Sequence, residues 1–522
     1  MHATSPPSRE RRRLRVQTTP TLVAPADEHN ARLVANVHPA DWRNPTPPRQ
    51  RYHLVVIGAG TAGLVTAAGA AALGARVALV ERHLMGGDCL NVGCVPSKAI
   101  ISAARAWHDA RTASSRFGGP GSSDRGDFAA AMERMRRLRA DLSSVDSAQR
   151  FTGLGVDVFL GHARFTAPDR VTVADQVLRF RRAVIATGAR AAVPAIPGLE
   201  AAGYYTNETI FTLTERPAHL TVLGAGPIGC ELAQAFARLG IRVTILDRGD
   251  RALSRDDPDA ARVVEAALRA DGVTLEFGAR VQRAARSPGG IRMHFTQGDR
   301  TGEVEGDAIL VAAGRAPNVE DLGLEAAGVK AGERGVVVDD RLRTSNRRVY
   351  AIGDVSSRYQ FTHVADFHAR LVIANALFFG RGRASRLVIP WTTYTSPEVA
   401  HVGLTPAEAD RRGVPIDTVT VPLAHVDRAV LAGETEGFLR VHLRRGSDRL
   451  AGVTVVAPDA GDLIAEATLA MTNGLGLSAM GRTIHPYPTV AEAYRRAADL
   501  RRREKLTPWA RRTLGLWFRV FA

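Results

Sequence analysis

Cysteine is scarce in this sequence, which has only three among its 522 residues. Three thiols cannot build a framework of stapling disulfides, and no apolar run reaches the eighteen or so residues that would predict a transmembrane helix. No apolar stretch follows the arginines near the N-terminus, so we expect no secretory leader and a cytoplasmic protein. A disulfide in the cytosol is more often catalytic than structural, which makes the few cysteines candidates for chemistry.

Acidic charge is also in short supply, since the formal net charge at pH 7 is +16. The excess lies at the two ends, because residues 1–51 contribute +5 and residues 494–522 contribute +7. A basic character confined to the ends does not indicate a nucleic-acid-binding body, and we expect no nucleic-acid partner. Residues 1–50 show no helical or strand period and are predicted to form a disordered basic arm. Glu10, Asp27 and Glu28 argue against a mitochondrial presequence.

The length predicts about three domains, and two stretches of the chain repeat one pattern. Apolar, β-branched runs at 52–58 and 75–81 flank a predicted helix at 61–74, and runs at 219–224 and 241–247 flank one at 227–240. Further short strands enter glycine-bearing turns within 307–318 and 347–355. After about residue 388 alternating strands, such as 437–443 and 451–457, precede a helix near 461–472. This last part is predicted to be a separate α+β domain.

Both βαβ patterns carry a glycine triplet at the turn from strand to helix. The first glycine allows the tight turn, the second lets a pyrophosphate approach the backbone, and the third lets the helix pack on the strand. Free N–H groups at the helix start attract the phosphates, and an acid ending the second strand is placed to bind a ribose. These residues are Gly58, Gly60, Gly63 and Glu81 in the first pattern and Gly224, Gly226, Gly229 and Asp247 in the second.

Two such patterns predict two dinucleotide sites and an electron relay, with one cofactor resident and the other exchanging. A single triplet is a weak signal, because a plain α/β turn also shows it. Asp247 disfavours a 2′-phosphate and slightly favours NAD, whereas Arg248 and Arg251 nearby suit NADP. The sequence leaves both nicotinamide cofactors open.

Two of the three cysteines lie in the stretch GGDCLNVGCVPSK at 86–98. The spacing of Cys89 and Cys94 is within disulfide range if a helix begins there, and a helix start would lower the pKa of a thiol. A zinc half-site and two buried thiols are the alternatives, but zinc needs four ligands and no second Cys/His cluster is visible, so no metal site is predicted. Cys230, inside the second glycine-motif helix, is interpreted as a small core residue.

In these motifs the chain resembles the flavoprotein disulfide reductases, the class I pyridine nucleotide-disulfide oxidoreductases, and within them the mercuric reductase-like and dihydrolipoamide dehydrogenase branch. The resemblance covers residues 52 to about 500 and also rests on VIATGA (184–189), AAGRAPN (312–318), AIGDV (351–355) and HPYPTVAEA (485–493). It implies an α/β fold with two Rossmann-like domains and a C-terminal α+β dimerisation domain. The implied parts are an FAD domain at 51–200 completed by 317–387, an NAD(P) domain at 201–316, a dimerisation domain at 388–500 and a basic aromatic tail at 501–522.

The resemblance also implies site residues, cofactors and a homodimer. Cys94 takes the role of charge-transfer thiol and Cys89 that of interchange thiol, while Lys98 pairs with Glu231 beside the flavin. FAD is implied at Gly58, Gly60, Gly63, Glu81, Thr187, Gly188 and Asp354, and NAD(P)H at Gly224, Gly226, Gly229, Asp247 and Gly314. Electrons then pass from NAD(P)H through FAD and the cysteine pair to a disulfide, a metal ion or another small acceptor.

The chain departs from the family pattern where disulfide reductases carry a catalytic His before Pro-Thr, because Tyr487 stands there, although the orienting acid Glu492 is kept. Tyrosine is a poor base for a thiol. His485, two residues earlier, is a candidate substitute, but its displaced backbone argues against that role. Tyr487 resembles the mercuric reductases, yet the cysteine pairs that deliver mercury are missing. Dihydrolipoyl dehydrogenase activity stays an alternative.

A further alternative comes from the last residues, 506–522, which mix aromatic side chains with arginine. They are expected to dock on the protein body or to contact an anionic membrane at its inner face. Membrane contact would favour an NAD(P)H dehydrogenase that reduces a quinone at the membrane surface.

Overall fold

The computed structural model describes residues 23–504 and 507–521. The strands are β1 (Tyr52–Ile57), β2 (Val77–Glu81), β3 (Val156–Leu160), β4 (Ala163–Ala167), β5 (Arg170–Val173), β6 (Gln176–Ile185), β7 (Ala189–Ala191), β8 (His219–Leu223), β9 (Arg242–Asp247), β10 (Thr274–Phe277), β11 (Arg280–Ser287), β12 (Gly290–Gln297), β13 (Arg300–Gly306), β14 (Ala308–Val311), β15 (Arg315–Pro317), β16 (Ala331–Gly332), β17 (Gly335–Val336), β18 (Val349–Ala351), β19 (Pro390–Thr393), β20 (Glu398–Gly403), β21 (Ile416–Pro422), β22 (Phe438–Arg444) and β23 (Leu450–Ala457).

The helices join these strands and cover the sheets. They are α1 (Glu28–Val37), α2 (Thr61–Ala72), α3 (Gly87–Asn91), α4 (Cys94–Phe117), α5 (Phe128–Ser143), α6 (Ala148–Gly153), α7 (Leu199–Ala202), α8 (Pro227–Arg238), α9 (Pro258–Ala270), α10 (Thr362–Leu377), α11 (Pro406–Arg411), α12 (Asp427–Ala432), α13 (Ala460–Thr472), α14 (Leu477–Arg482), α15 (Glu492–Glu504) and α16 (Pro508–Phe521). Short 3₁₀ turns lie at Ser144–Asp146, Ile210–Thr212, Gly353–Val355, Ala384–Arg386 and Leu423–His425.

The first predicted βαβ unit is confirmed as β1, α2 and β2, at the centre of a sheet in the order β3-β2-β1-β6-β5-β4, with β18 also on β6. Strand β1 pairs in parallel on both sides, with Val56 opposite Leu79 and Val184. A central parallel strand is buried on both faces, which explains its unbroken apolar run. Separate hydrophobic clusters fill the two faces of this sheet.

The second predicted unit is confirmed as β8, α8 and β9, in a parallel sheet ordered β10-β9-β8-β14. An antiparallel sheet of β11, β12 and β13 follows it. The predicted C-terminal α+β domain is present as an antiparallel sheet ordered β19-β20-β23-β22-β21, with α13 packed on it. The helix expected near 461–472 is α13, and the expected strands at 437–443 and 451–457 are β22 and β23.

The prediction of a disordered arm over residues 1–50 is wrong for its second half, while residues 1–22 lie outside the described residues. Helix α1 begins at the N-cap Asp27, whose carboxylate accepts the backbone N–H of Asn30 at 2.8 Å. Leu33 and Val37 are fully buried in the core of the first sheet. They are spaced i, i+4 and so lie on one face, which is enough to dock a single short helix. The composition of residues 1–50 does not reveal this pattern, because many of the residues around Leu33 and Val37 are polar.

Helix α16 differs from the other described α-helices, because none of its described side chains is buried. The expectation that this tail docks on the protein body is therefore not met within one chain. Over residues 23–504 and 507–521, no helix combines the length and the apolar character that a membrane crossing requires.

Candidate active site

A cleft of about 2920 Å³ runs along the first two domains and reaches the third. Both glycine turns line it, and so do Cys89 and Cys94. The carboxyl ends of the parallel strands open into this cleft, as expected for ligand sites of open α/β sheets. The sequence-predicted dinucleotide turns and the cysteine pair are thus parts of a single cavity.

The third glycine of each turn is fixed by packing between strand and helix. A Cβ on Gly63 would lie 1.8 Å from the carbonyl oxygen of Gly58, and a Cβ on Gly229 would lie 1.9 Å from that of Gly224. Real atoms never approach so closely, so only glycine lets α2 and α8 pack at these positions.

The second glycine of each turn faces open space instead. A Cβ on Gly60 would meet its nearest atom, the Cα of Gly87, at an ordinary 3.7 Å, and one on Gly226 would meet nothing within 4 Å. Both glycines line the cleft and precede a helix whose first N–H groups have no partner within the helix. This is the arrangement that a pyrophosphate needs.

The acidic residues that end β2 and β9 accept hydrogen bonds from the backbone at and near the two glycine turns. Glu81 is buried and accepts the backbone N–H groups of Ala59 at 2.7 Å and of His83 at 2.8 Å. Burial raises the pKa of Glu81, which these hydrogen bonds only partly oppose. Asp247 accepts the backbone N–H of Ala225, in the second turn, and that of Gly249, in the loop after β9, each at 2.6 Å. Both acids also line the cleft, where a ribose can reach them.

Cys89 lies in α3 and Cys94 is the first residue of α4, and both are free thiols. The hydrogen bond from the Cys89 thiol lowers the pKa of Cys94 to about 6, and the hydroxyl of Thr362 and the charge of Lys98 act in the same direction. The Thr362 Oγ1 lies 3.3 Å from the Cys94 Sγ. The same hydrogen bond, together with burial, raises the pKa of Cys89. Both directions favour Cys94 over Cys89 as the thiolate of the pair.

Lys98 lies one turn further along α4 and donates to Glu231 of α8 at 2.8 Å. The other oxygen of Glu231 accepts the backbone N–H of Tyr394 at 2.9 Å, and the Lys98 Nζ lies 4.4 Å from the centre of the Tyr394 ring. Burial is the largest single effect and lowers the pKa of Lys98, but the charge and hydrogen bond of Glu231 act together with the charge of Cys94, and the net pKa is raised. A fixed cation therefore stands beside the Cys94 thiolate.

An arginine links the loop of the cysteines to the turn that carries Asp354. Arg315 forms an ion pair with Asp88, next to Cys89, and another with Asp354 at 3.4 Å. Burial raises the pKa of Asp354 to about 6, although Arg315 opposes the shift. Gly314, directly before this arginine, also lines the cleft.

Thr187 and Gly188 line the cleft where β6 ends. The Thr187 hydroxyl donates to the carbonyl oxygen of Asn318 at 2.7 Å, and the Asn318 N–H donates to the carbonyl oxygen of Gly188 at 3.0 Å. These two hydrogen bonds hold the turn that follows β6, in the first dinucleotide module, against Asn318.

The structure does not bring the three C-terminal candidates into this chain's own cleft. Tyr487 is 69% exposed and its hydroxyl donates to Asp427 at 2.9 Å. The His485 ring is nearly buried against Glu466, at 3.1 Å. Glu492 is buried and pairs with Arg495 and Arg496.

Sequence reasoning missed four residues of the site: Thr362, Tyr394, Arg315 and Asp88. Thr362 lies 268 residues from Cys94, and Tyr394 lies far along the chain from Lys98 and Glu231, so no local pattern marks them. Arg315 and Asp88 do stand inside recognised motifs, AAGRAPN and GGDCLNVGCVPSK. Their opposite charges in two glycine-bearing motifs are the signal that could have paired them.

Family models match the chain over most of its length. One described as pyridine nucleotide-disulphide oxidoreductase matches residues 52–369, and one described as the dimerisation domain of that family matches residues 389–498. The chain belongs to the pyridine nucleotide-disulphide oxidoreductase family. The expected fold class, two Rossmann-like domains and a dimerisation domain, is confirmed.

Two relatives represent two branches of this family. A mercuric reductase of Streptomyces lividans is 38% identical over 459 residues, covering 86% of this chain and 96% of the relative. A dihydrolipoyl dehydrogenase of Chlamydia muridarum is 32% identical over 462 residues, covering 86% and 97%.

Two solved structures share the fold. The HOCl-induced flavoprotein disulfide reductase RclA from Escherichia coli superimposes with a TM-score of 0.76 at 29% identity, covering 86% of this chain and all of that one. LpdA from Mycobacterium tuberculosis gives 0.76 at 28% identity, covering 85% and 99%.

This family member is an FAD-dependent oxidoreductase that uses NAD(P)H, and its dimerisation domain supports a homodimer. The residues of the first module fit FAD, because the open space at Gly60, the helix start of α2 and the acid Glu81 lie in the same cleft as the cysteine pair. The second module offers an equivalent set at Gly226 and Asp247 for the nicotinamide cofactor.

The environment of Cys94 makes a pH-dependent prediction. A lowered pKa means that the thiolate forms as the pH rises through about 6, where an ordinary thiol is still protonated. Lys98→Met removes a cation that favours the thiolate, so the pKa of Cys94 should rise toward the ordinary value. The measurement is the ultraviolet thiolate absorbance of the reduced protein against pH. Arg105→Met, on the same helix but paired with Asp459, is the matched control and should leave the titration unchanged. Equal titration curves for Lys98→Met and Arg105→Met would contradict the role of Lys98 in lowering the pKa of Cys94.

Proposed function

We propose that this oxidoreductase passes electrons from NAD(P)H through the Cys94 and Cys89 pair to a small soft acceptor, in the manner of mercuric reductases. The observation that carries the proposal is the position of the two thiols, one activated, in the cleft that also holds both dinucleotide turns. Thiolates are good ligands for soft metal ions. The mercuric reductases among the relatives point to the same class of acceptor.

Each part of the site has a role in this proposal. Bound FAD would supply two-electron transfer between the nicotinamide and the cysteine pair. Lys98, held by Glu231, places positive charge where it stabilises the Cys94 thiolate. Cys89 stays protonated and meets the acceptor as the interchange thiol. When an acceptor takes two electrons from the pair, the S–S bond of Cys89 and Cys94 forms and the thiol proton of Cys89 is released.

Tyr487 is the reason for preferring a metal-like acceptor to a disulfide. A disulfide acceptor leaves as a thiolate that needs a proton, which a residue near neutral pKa supplies best. The hydrogen bond to Asp427 raises the pKa of Tyr487 above its already high ordinary value, so the tyrosine keeps its proton near pH 7 and is a poor proton donor to a leaving thiolate. The His485 side chain is 5% exposed and is held by Glu466 at 3.1 Å. Dihydrolipoyl dehydrogenase activity is therefore the second candidate.

An acceptor panel separates these candidates. We expect rapid NAD(P)H oxidation when Hg(II) is supplied with an excess of a small thiol. With lipoamide or glutathione disulfide as the acceptor, oxidation of either NADH or NADPH should be slow. Tyr487→His should raise lipoamide turnover by about tenfold or more, because general acid–base catalysis by His gives at least this factor. Fast lipoamide turnover by the unchanged enzyme, lost in His485→Ala and kept in Tyr487→Phe, would contradict the proposal.

We also propose that α16 brings the enzyme to an anionic membrane surface, where a quinone would be the acceptor. Its apolar side chains are 44–74% exposed and cover roughly 200° of the helix circumference. They are Trp509, Leu514, Leu516, Trp517, Phe518, Val520 and Phe521. Three arginines fill the remaining arc, and residues 508–521 contain no acid. Such a helix suits the interface of an anionic bilayer.

Vesicle binding tests this surface without any turnover. The full-length protein should co-sediment with vesicles of phosphatidylcholine and phosphatidylglycerol and much less with phosphatidylcholine alone. Trp517→Glu should weaken binding about tenfold, because one buried aromatic side chain contributes this much. Phe379→Glu, which changes another aromatic residue that is 92% exposed, is the matched control. Binding that ignores lipid charge, or a change of oligomeric state in Trp517→Glu, would contradict membrane contact.

A further inference from the structure

The segment of residues 23–50 precedes the family match, which begins at residue 52. Val23, Ala24, Pro25 and Leu33 nevertheless line the same cleft as Glu81. This part of the cleft wall therefore lies outside the residues that the family model matches.

Helix α1 contacts the loop that follows Glu81. The backbone N–H of Met85 donates to the carbonyl oxygen of Val37 at 3.2 Å, and Leu33 and Val37 pack in one cluster with Leu84 and Met85. Glu81 is the acid placed to bind a ribose, so the segment lies at the adenosine end of the FAD module.

Two buried arginines of α5 anchor the start of the segment. Arg136 pairs with the N-cap Asp27, and Arg139 donates to the side-chain oxygen of Asn30 at 2.7 Å. Arg139 also donates to the carbonyl oxygen of Asn91 at 2.7 Å, in the short helix that carries Cys89. The Asn30 side chain in turn donates to the carbonyl oxygen of Pro25 at 2.8 Å. Asp27 and Asn30 thus fix the residues that face the cleft.

The far end of the segment is held separately, on the edge of the first sheet. Trp42 donates to the carbonyl oxygen of Val158 at 3.2 Å, and Asn44 exchanges two hydrogen bonds with the backbone of Leu160 at 2.7 and 3.0 Å. Neither Trp42 nor Asn44 lines the cleft. The segment therefore has one end that touches the cofactor cleft and one that only covers a strand edge.

We propose that residues 23–37 form part of the FAD site and close the cleft over the adenosine half of the cofactor. The polar anchors hold an apolar wall of Val23, Pro25 and Leu33 against that half, which slows its release. The inference rests on FAD as the cofactor and not on the identity of the electron acceptor.

The test measures FAD release and rebinding by flavin fluorescence, with no acceptor present. Asp27→Ala removes the N-cap and the partner of Arg136, and should raise the Kd of FAD about fivefold, the factor expected for loss of one cap. Asp27→Asn keeps a capping oxygen but loses the ion pair with Arg136, so its Kd of FAD should lie between those of Asp27→Ala and the unchanged protein. Asn44→Ala, at the far end, should lower thermal stability and leave the Kd of FAD unchanged.

Val23→Asp is a second variant that leaves the polar anchors intact and places a carboxylate in the cleft wall, so the Kd of FAD should rise. Equal FAD affinities in Asp27→Ala, Val23→Asp and the unchanged protein would overturn the proposal. So would an equal loss of affinity in Asp27→Ala and Asn44→Ala, because the segment would then act through stability alone.

Discussion

Cys94→Ser should reduce NAD(P)H-driven turnover of the acceptor by on the order of 10³-fold or more, while FAD stays bound and is still reduced. Serine cannot form the disulfide, and its hydroxyl does not ionise near pH 6 as the Cys94 thiol does. The measurements are steady-state turnover with Hg(II) and anaerobic titration with NADH and NADPH. The unchanged enzyme should accept two electron pairs per subunit and the variant one.

Substitutions of the two cysteines should change the absorption spectrum of the enzyme differently, because only Cys94 is expected to be a thiolate. Cys89→Ser keeps Cys94 and should retain the long-wavelength absorbance band between the Cys94 thiolate and the flavin. Cys94→Ser should lose this band. Cys230→Ala is the control, since this third thiol is buried in α8 and donates to the carbonyl oxygen of Ala225. Its turnover should be that of the unchanged enzyme. Full activity in Cys94→Ser would remove the basis for electron transfer through the pair.

Local patterns predicted the elements that carry the dinucleotide turns. Strand β1 and helix α2 begin where the apolar run and the glycine triplet place them, at Tyr52 and Thr61. This worked because a central parallel strand needs an unbroken apolar run and a nucleotide turn needs glycine at fixed spacing. The spacing of the cysteines likewise placed them at a helix start.

Contacts between distant parts of the chain could not be predicted in this way. Thr362 approaches Cys94 across 268 residues, and the Asp27 pair with Arg136 crosses 109. Helix α1 was misread because composition averages over residues 1–50, whereas its docking depends on Leu33 and Val37 alone. The segment shows that a polar, proline-rich stretch can still fold when a few apolar residues meet a partner surface.

Gly63→Ala should unfold the FAD module or make it lose bound FAD, and the free energy of unfolding should fall by about 3 kcal/mol or more. The new Cβ would lie 1.8 Å from the carbonyl oxygen of Gly58, and neither backbone can yield without separating α2 from β1. Gly229→Ala meets the same obstacle at 1.9 Å in the second module. It should therefore keep FAD and lose NAD(P)H binding. Denaturant unfolding and the flavin content of the purified protein are the measurements.

Gly226→Ala separates contact with the cofactor from packing of the protein. Its Cβ would meet no atom within 4 Å, and the backbone at Gly226, with φ −75°, is one that any residue adopts. Folding and FAD content should be normal, while the Kd of NAD(P)H rises about tenfold or more, because a methyl group then stands where the pyrophosphate approaches. Gly153→Ala, also without neighbours within 4 Å and exposed at the end of α6, should change neither property. If Gly226→Ala bound the nicotinamide cofactor as tightly as Gly153→Ala, the open space in the second turn would not be the pyrophosphate site.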